Sequence, residues 1–289
     1  MASTQVLKLR IRSVKNTKQI TKAMQLVAAS KMRRAQETAK ASAPYTLAAR
    51  KLLTALSRHT TTSNHPLFVI KPVQNRLIIV IASDKGLAGA YNSSVVKMYA
   101  EQLQIDDKSG IKNQSITIGR KASQFATKIK GTNIIGSYED LPDRPEGLEF
   151  STILETARNK FISGEVDAVD IIFTEFVSSI KQDVKAVRVL PAGFVATDKS
   201  EYTDESAYEP SANAVLDGIA YRLIGAQIFQ ALLEARASEH SMRMLAMKNA
   251  SDNATDLIDD LTLAMNKARQ GAITQELAEI SGGVEALNE

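Results

Sequence analysis

The sequence predicts an α/β protein: a long antiparallel coiled coil of the N- and C-terminal helices, plus a Rossmann-like α/β domain inserted between them. Three observations predict it. Both ends carry long stretches of helix formers with almost no glycine or proline. The middle alternates short, β-branched apolar runs with helix-like stretches. The C-terminal stretch repeats small and apolar residues at steps of three and four. The division that follows is 1–58 for the first coil helix, 76–195 for the inserted domain and 209–289 for the second coil helix.

From Thr4 to about Ser57 there is no glycine and one proline, Pro44. Ile20, Ala23 and Val27, with Met24 beside them, form the stripe expected to face a partner helix. At about 1.5 Å per residue the segment reaches roughly 80 Å. Proline lacks the backbone N–H and its ring collides with the preceding turn, so a kink or division is expected near Ala43.

His59 to Asn75 reads as a linker, rich in threonine and containing Pro66 and Pro72. Leu77–Ala82, Ser115–Ile118, Asn133–Ile135, Val169–Phe173 and Val184–Leu190 then read as strands. Ser93–Gln104, Lys121–Lys128 and Ser151–Ile162 read as helices between them. Apolar strands that alternate with helices point to a mostly parallel sheet covered on both faces.

After a polar stretch, Thr197–Tyr208, a second helix is expected to start near Ser211, with Asp217 early in it to suit the helix dipole. Met244, Met247, Ser251, Ala254, Ile258, Leu261, Met265 and Ala268 follow strict 3,4 spacing, the signature of a coiled-coil seam. A helix from Ser211 to about Ser281 spans on the order of 100 Å, more than a globular domain accommodates. Part of it must find a partner, and the N-terminal helix is the comparable one.

Charge is divided unevenly. The net +4 resolves into +12 for residues 1–58, +1 for 59–200 and −9 for 201–289. Two helices of opposite sign suit each other, and the excess on the first implies an acidic partner. With no cysteine, disulfides, thiolate metal sites and cysteine nucleophiles are excluded. No apolar run approaches the roughly 18 residues of a membrane span, and Met1–Arg12 lacks the apolar core of a signal peptide. The expectation is a soluble protein with no cofactor.

Motifs for chemistry are sparse. Ser83–Tyr91 (SDKGLAGAY) follows a strand and precedes a helix, where nucleotide-binding loops sit, but it has neither GxxxxGK[ST] nor GxGxxG. His59, His65 and His240 show no metal-ligand spacing, and no GxSxG elbow occurs. Asp84 and Asp170 lie near strand ends and are candidates to pair. The basic first helix raises nucleic-acid binding, against which stands the acidic C-terminal segment. The methionines on both helices read as core filler.

Three segments carry a resemblance. Asn16–Met32 (NTKQITKAMQLVAASKM), Ser241–Ala254 (SMRMLAMKNASDNA) and Asn266–Ile280 (NKARQGAITQELAEI) resemble the N-terminal motif, the C-terminal coil and the terminal signature of the gamma subunit of bacterial F-type ATP synthases. The order of helix, α/β insert and helix is similar too. Gly283-Val284 and the residues Lys85, Ala88, Ala90 and Tyr91 depart from the family pattern, and no cysteine is present for the thiol switch of chloroplast relatives.

The resemblance implies a central rotary stalk with no catalytic site of its own. It implies as partners the alpha and beta subunits of a catalytic hexamer, the epsilon subunit and the c-ring, with one copy of this chain, no nucleic acid, and membrane association only through partners. The implied location is the cytoplasmic face of the bacterial inner membrane. Lys22, Met24, Arg243, Arg269, Gln270 and Thr274 match positions that touch the hexamer. Tyr208 and Glu209 match the foot near the ring and epsilon. The competing readings are a Rossmann-like enzyme with a helical oligomerisation coil and a coiled-coil nucleic-acid binder.

Overall fold

A computed structural model describes residues 4–59, 65–142, 148–192 and 212–287. In chain order the elements are α1 (Thr4–His59), β1 (Asn75–Ile81), α2 (Tyr91–Lys108), β2 (Lys112–Ile118), α3 (Arg120–Ala126), β3 (Asn133–Tyr138), α4 (Leu148–Ile162), β4 (Ala168–Phe176), β5 (Gln182–Leu190) and α5 (Ala212–Leu287). Contacts divide the chain into two compact units, residues 1–28 with 244–289, and residues 29–243.

The sheet is the centre of the second unit, ordered β3-β2-β1-β4-β5. β1 pairs in parallel with β2 (Asn75↔Lys112 to Ile81↔Ile118) and with β4 (Arg76↔Ala168 to Val80↔Ile172). β3 continues the parallel set, and β5 adds an antiparallel edge. Successive side chains of β1 point to opposite faces, as a strand requires. Leu77, Ile79 and Ile81 join a core with α4 and α5, whereas Ile78, Val80 and Ala82 join one with α2 and α3. Burial on both faces explains why β1 is a continuous apolar run rather than an alternating one.

The C-terminal helix belongs to this sheet as much as to the coil. Ala220, Leu223, Ile224, Ile228, Ala231, Leu232 and Ala235 of α5 all lie in the core beneath β1 and β4. The stretch read as a linker is also tied down: Leu67 and Phe68 are buried there, and the Leu67 carbonyl accepts from Ala192 N at 2.9 Å. At the carboxyl end of the sheet Gly119 has φ +92, and a Cβ there would stand 2.2 Å from the Ala82 carbonyl oxygen. Only glycine fits that approach.

In the first unit the less exposed positions of α5 are Met244, Met247, Ser251, Ala254, Ile258, Leu261, Met265 and Ala268, together with residues that flank them. That is the expected seam. The expected stripe on α1 is corrected. Ile20, Ala23 and Val27 are exposed; the withdrawn positions are Thr4, Leu7, Ile11, Val14, Lys18, Thr21, Gln25 and Ala28, with Met24 beside them. A seam must hold its 3,4 step over the whole paired length. The Ile20 stripe meets Asn16 and Ser13 within two turns, whereas the other set continues into Val14, Ile11 and Leu7.

Burial on α5 stops at Ala268, and residues 271–281 are all exposed, although α1 continues from Ala28 to His59. The bare stretch of α5 therefore lies past the beginning of α1, and the helices run antiparallel. The expected division at Pro44 does not occur: α1 passes through it. Pro44 lies on an exposed face, where water can serve the carbonyl freed four residues earlier.

Candidate functional site

Ligands of open α/β sheets bind beyond the carboxyl ends of the strands, where the chain reverses its direction of travel across the sheet. Here that place lies between β1 and β4, and side chains of α5 fill it. Arg236 reaches Asp84 at 3.6 Å and Glu239 at 3.2 Å, and donates to the Leu141 carbonyl at 3.0 Å. Arg243 pairs with Glu239 at 2.7 Å and donates to the carbonyls of Lys85 and Gly86 at 3.1 and 3.4 Å. On the β4 side, the hydroxyls of Ser238 and Ser241 donate to the carbonyls of Thr174 and Ser179. The loop 83–91 is closed on itself as well: the Ser83 hydroxyl donates to the Lys85 carbonyl at 2.7 Å and to Asn92 Oδ1 at 2.9 Å.

Asp84 also accepts backbone N–H bonds from Arg120 and Asp140, both at 3.0 Å, so one carboxylate joins the ends of β1, β2 and β3 to α5. It does not meet Asp170. That residue lies near the start of β4 and pairs with Arg76 and Arg188, while Arg76 also reaches buried Asp106 at 3.1 Å. The expected Asp84–Asp170 pair fails because parallel strands put one acid at each end of the sheet.

Burial, and then the nearby Glu239 carboxylate, push the Tyr91 phenol far up, so it stays protonated. Burial alone pulls the Arg236 guanidinium down, but the Glu239 and Asp84 carboxylates hold it up. Both groups are fixed in charge at physiological pH and are structural. Sequence reasoning missed this network. Its members are far apart in the chain, and only the sheet-to-helix docking brings them together.

The residues expected to touch partners lie in different settings. Lys22 is exposed on α1 and Met24 is half-buried beside the seam. Arg269, Gln270 and Thr274 lie on exposed α5 at and beyond the end of the seam; the Thr274 hydroxyl donates to the Gln270 carbonyl at 3.0 Å. Arg243 turns inward, its side chain 11% exposed, and supports the loop at Lys85–Gly86. Tyr208 and Glu209 lie outside the described residues. Among the described residues no group of histidines and acids is placed to hold a metal ion, and no helix is long and apolar enough to cross a membrane.

The crevice where an open α/β sheet takes a ligand is thus filled by side chains of α5, and long helices stand at both ends of the described chain. The family model described as ATP synthase matches residues 3–287. An ATP synthase gamma chain of Ralstonia nicotianae is 38% identical over 292 residues, spanning 99% of this chain and all of that one. Among solved structures, a chain of the Euglena gracilis mitochondrial ATP synthase (OSCP/F1/c-ring) superposes with a TM-score of 0.66 at 19% identity, covering 98% of this chain and 94% of its own. One from the central stalk/c-ring of the Tetrahymena thermophila mitochondrial enzyme gives 0.60 at 23%, covering 80% and 99%. The chain belongs to the gamma-subunit family of the ATP synthases. It is a central-stalk subunit without a catalytic site of its own.

Proposed function

We propose that this chain turns inside a hexamer of alpha and beta subunits, driven by a c-ring, and that its asymmetry forces the beta sites in turn through open and closed states. A rotating element changes a partner's conformation only if its contacts differ in strength between the partner's states. The observation that carries the reading is the bare stretch of α5: in this helix of 76 residues, 271–281 are all exposed among the described residues.

Lys22 and Met24 on α1, with Arg269, Gln270 and Thr274 on α5, are the contacts to the hexamer in this proposal. Arg243 holds the loop at Lys85–Gly86 in place for the same partner. Tyr208 and Glu209 form the foot toward epsilon and the c-ring. One copy serves each complex, at the cytoplasmic face of the bacterial inner membrane. The functional division is 1–58 and 209–289 for the shaft and 76–195 for the domain that couples it to the ring.

Affinity purification of the tagged chain from a bacterial host is expected to bring down alpha, beta and epsilon subunits with a magnesium-dependent ATPase activity that is lost when the chain is omitted. Recovery of the chain alone, from cells that make the complex, overturns the reading.

A further inference from the structure

We propose that the cleft between α4 and α5 at Arg158 and Tyr221 is a binding site for a singly charged phosphate group. The cleft holds about 430 Å³ and is lined by Glu155, Arg158, Asn159, Gly218 and Tyr221, none of which is among the stalk contacts named above. The Arg158 guanidinium lies over the Tyr221 ring, 5.5 Å from its centroid. Its Nε is buried without an acceptor, and the side chain meets no carboxylate among the described residues. By contrast Arg76, Arg236 and Arg243, which are also withdrawn from water, each pair with an acid. A half-buried cation without a counter-charge is costly, so an anion is what this place lacks. Gly218 points the same way. Inside a helix glycine is less stable than alanine by about 1 kcal/mol. Packing explains the glycine two turns on, since a Cβ on Gly225 would stand 3.1 Å from Leu154 Cδ2. At Gly218 no heavy atom lies within 4 Å of that position, so the backbone is open to a ligand.

Shape and charge select the anion. Stacked on a ring, a guanidinium keeps its edge free to donate paired hydrogen bonds to an oxyanion. The oxygens of a carboxylate are coplanar, and the fork consumes both. A tetrahedral phosphate keeps further oxygens for the Asn159 amide on the same wall. The exposed Glu155 carboxylate stands on that wall as well, so a second negative charge on the ligand is repelled. That leaves the monoanion of a phosphate, or a phosphodiester. Because Arg158 belongs to α4 and Gly218 and Tyr221 to α5, the bound group ties the two helices together.

The test titrates inorganic phosphate with the full chain at constant ionic strength and follows the broadening of the phosphorus resonance. Saturable broadening is expected. Arg158→Gln removes the charge-assisted pair and weakens binding on the order of tenfold. Glu155→Gln removes the repulsion and strengthens it about threefold. Acetate is expected to compete poorly, and equal competition overturns the choice of phosphate. Suppose instead that free phosphate does not bind, but the chain sediments with vesicles of phosphatidylglycerol and phosphatidylcholine and not with phosphatidylcholine alone. If Arg158→Gln abolishes that sedimentation, the phosphate is that of a lipid headgroup. Binding that neither substitution changes, or no binding of either probe, overturns the site and leaves the stalk reading intact. Should Arg158→Gln fail to fold, the gain with Glu155→Gln decides alone, and its absence overturns the site.

Discussion

One helix meets three environments. From Ala220 to Ser241, α5 is enclosed on nearly every side, with Arg222 the exposed exception. From Met244 to Ala268 it withdraws a seam along one side, and from Gly271 to Ser281 it withdraws nothing. The first stretch is held by the sheet core and by the network of Arg236, Glu239 and Arg243. The second is held by a coil seam alone. The third persists as helix by continuation from the other two, since propagation is far easier than nucleation. The comparison teaches that stability is concentrated where the helix meets the sheet and falls along it, leaving the far end free for a partner.

Substitutions graded along α5 and its coil partner test that gradient. The largest loss is expected at Glu239→Ala, which leaves two guanidinium groups without their shared carboxylate; about 3–5 kcal/mol is typical for breaking a buried pair, read from urea unfolding. Ile228→Ala opens a cavity under β1 and β4 and is expected to cost about 3 kcal/mol in the same measurement. Ile11→Ala removes a seam residue with solvent nearby and is expected to cost about 2 kcal/mol, followed by loss of helical circular dichroism on heating. A coil substitution that costs more than the sheet-side one reverses the gradient.

A smaller effect, of opposite sign, is expected at Glu234. Burial raises the pKa of this carboxyl, partly offset by a hydrogen bond from Gln230 at 2.8 Å. A raised acid favours folding when protonated, so its ionisation weakens the native state as pH rises. Glu234→Gln is expected to raise the unfolding midpoint at pH 7, and the gain should vanish once the pH falls below the ordinary carboxylate range, where both states are protonated. The smallest change is expected at Leu277→Ser on the bare stretch, within about 0.5 kcal/mol for the free chain. A large loss there would mean that the far end is packed after all.

The strands and the α5 seam were legible because each carries its own period. Leu77–Ala82 is an unbroken β-branched run, and the eight seam positions from Met244 to Ala268 never miss a step. The α1 seam was not legible. Its middle is Lys18, Thr21 and Gln25, more polar than the outward Ile20, Ala23 and Val27, so local hydrophobicity pointed to the wrong side. Pro44 misled for a related reason: a proline on a water-facing side loses one rung without ending the helix. Of the candidate contacts, Lys22, Arg269, Gln270 and Thr274 lie on exposed surface, as their polar character suggests. Arg243 turns inward, because the carboxylate that holds it, Glu239, lies one turn away on its own helix and the loop carbonyls come from far along the chain.

The sequence by itself determined the element order, the parallel sheet, the antiparallel helices and the family, because periodicity and motif are local properties of the chain. Only the tertiary structure decided which face of α1 turns inward and that α5 plugs its own sheet. It also decided where the seam ends and the bare helix begins. Those outcomes depend on which distant surfaces exclude water together, and burial is a property of pairs of segments rather than of any one of them.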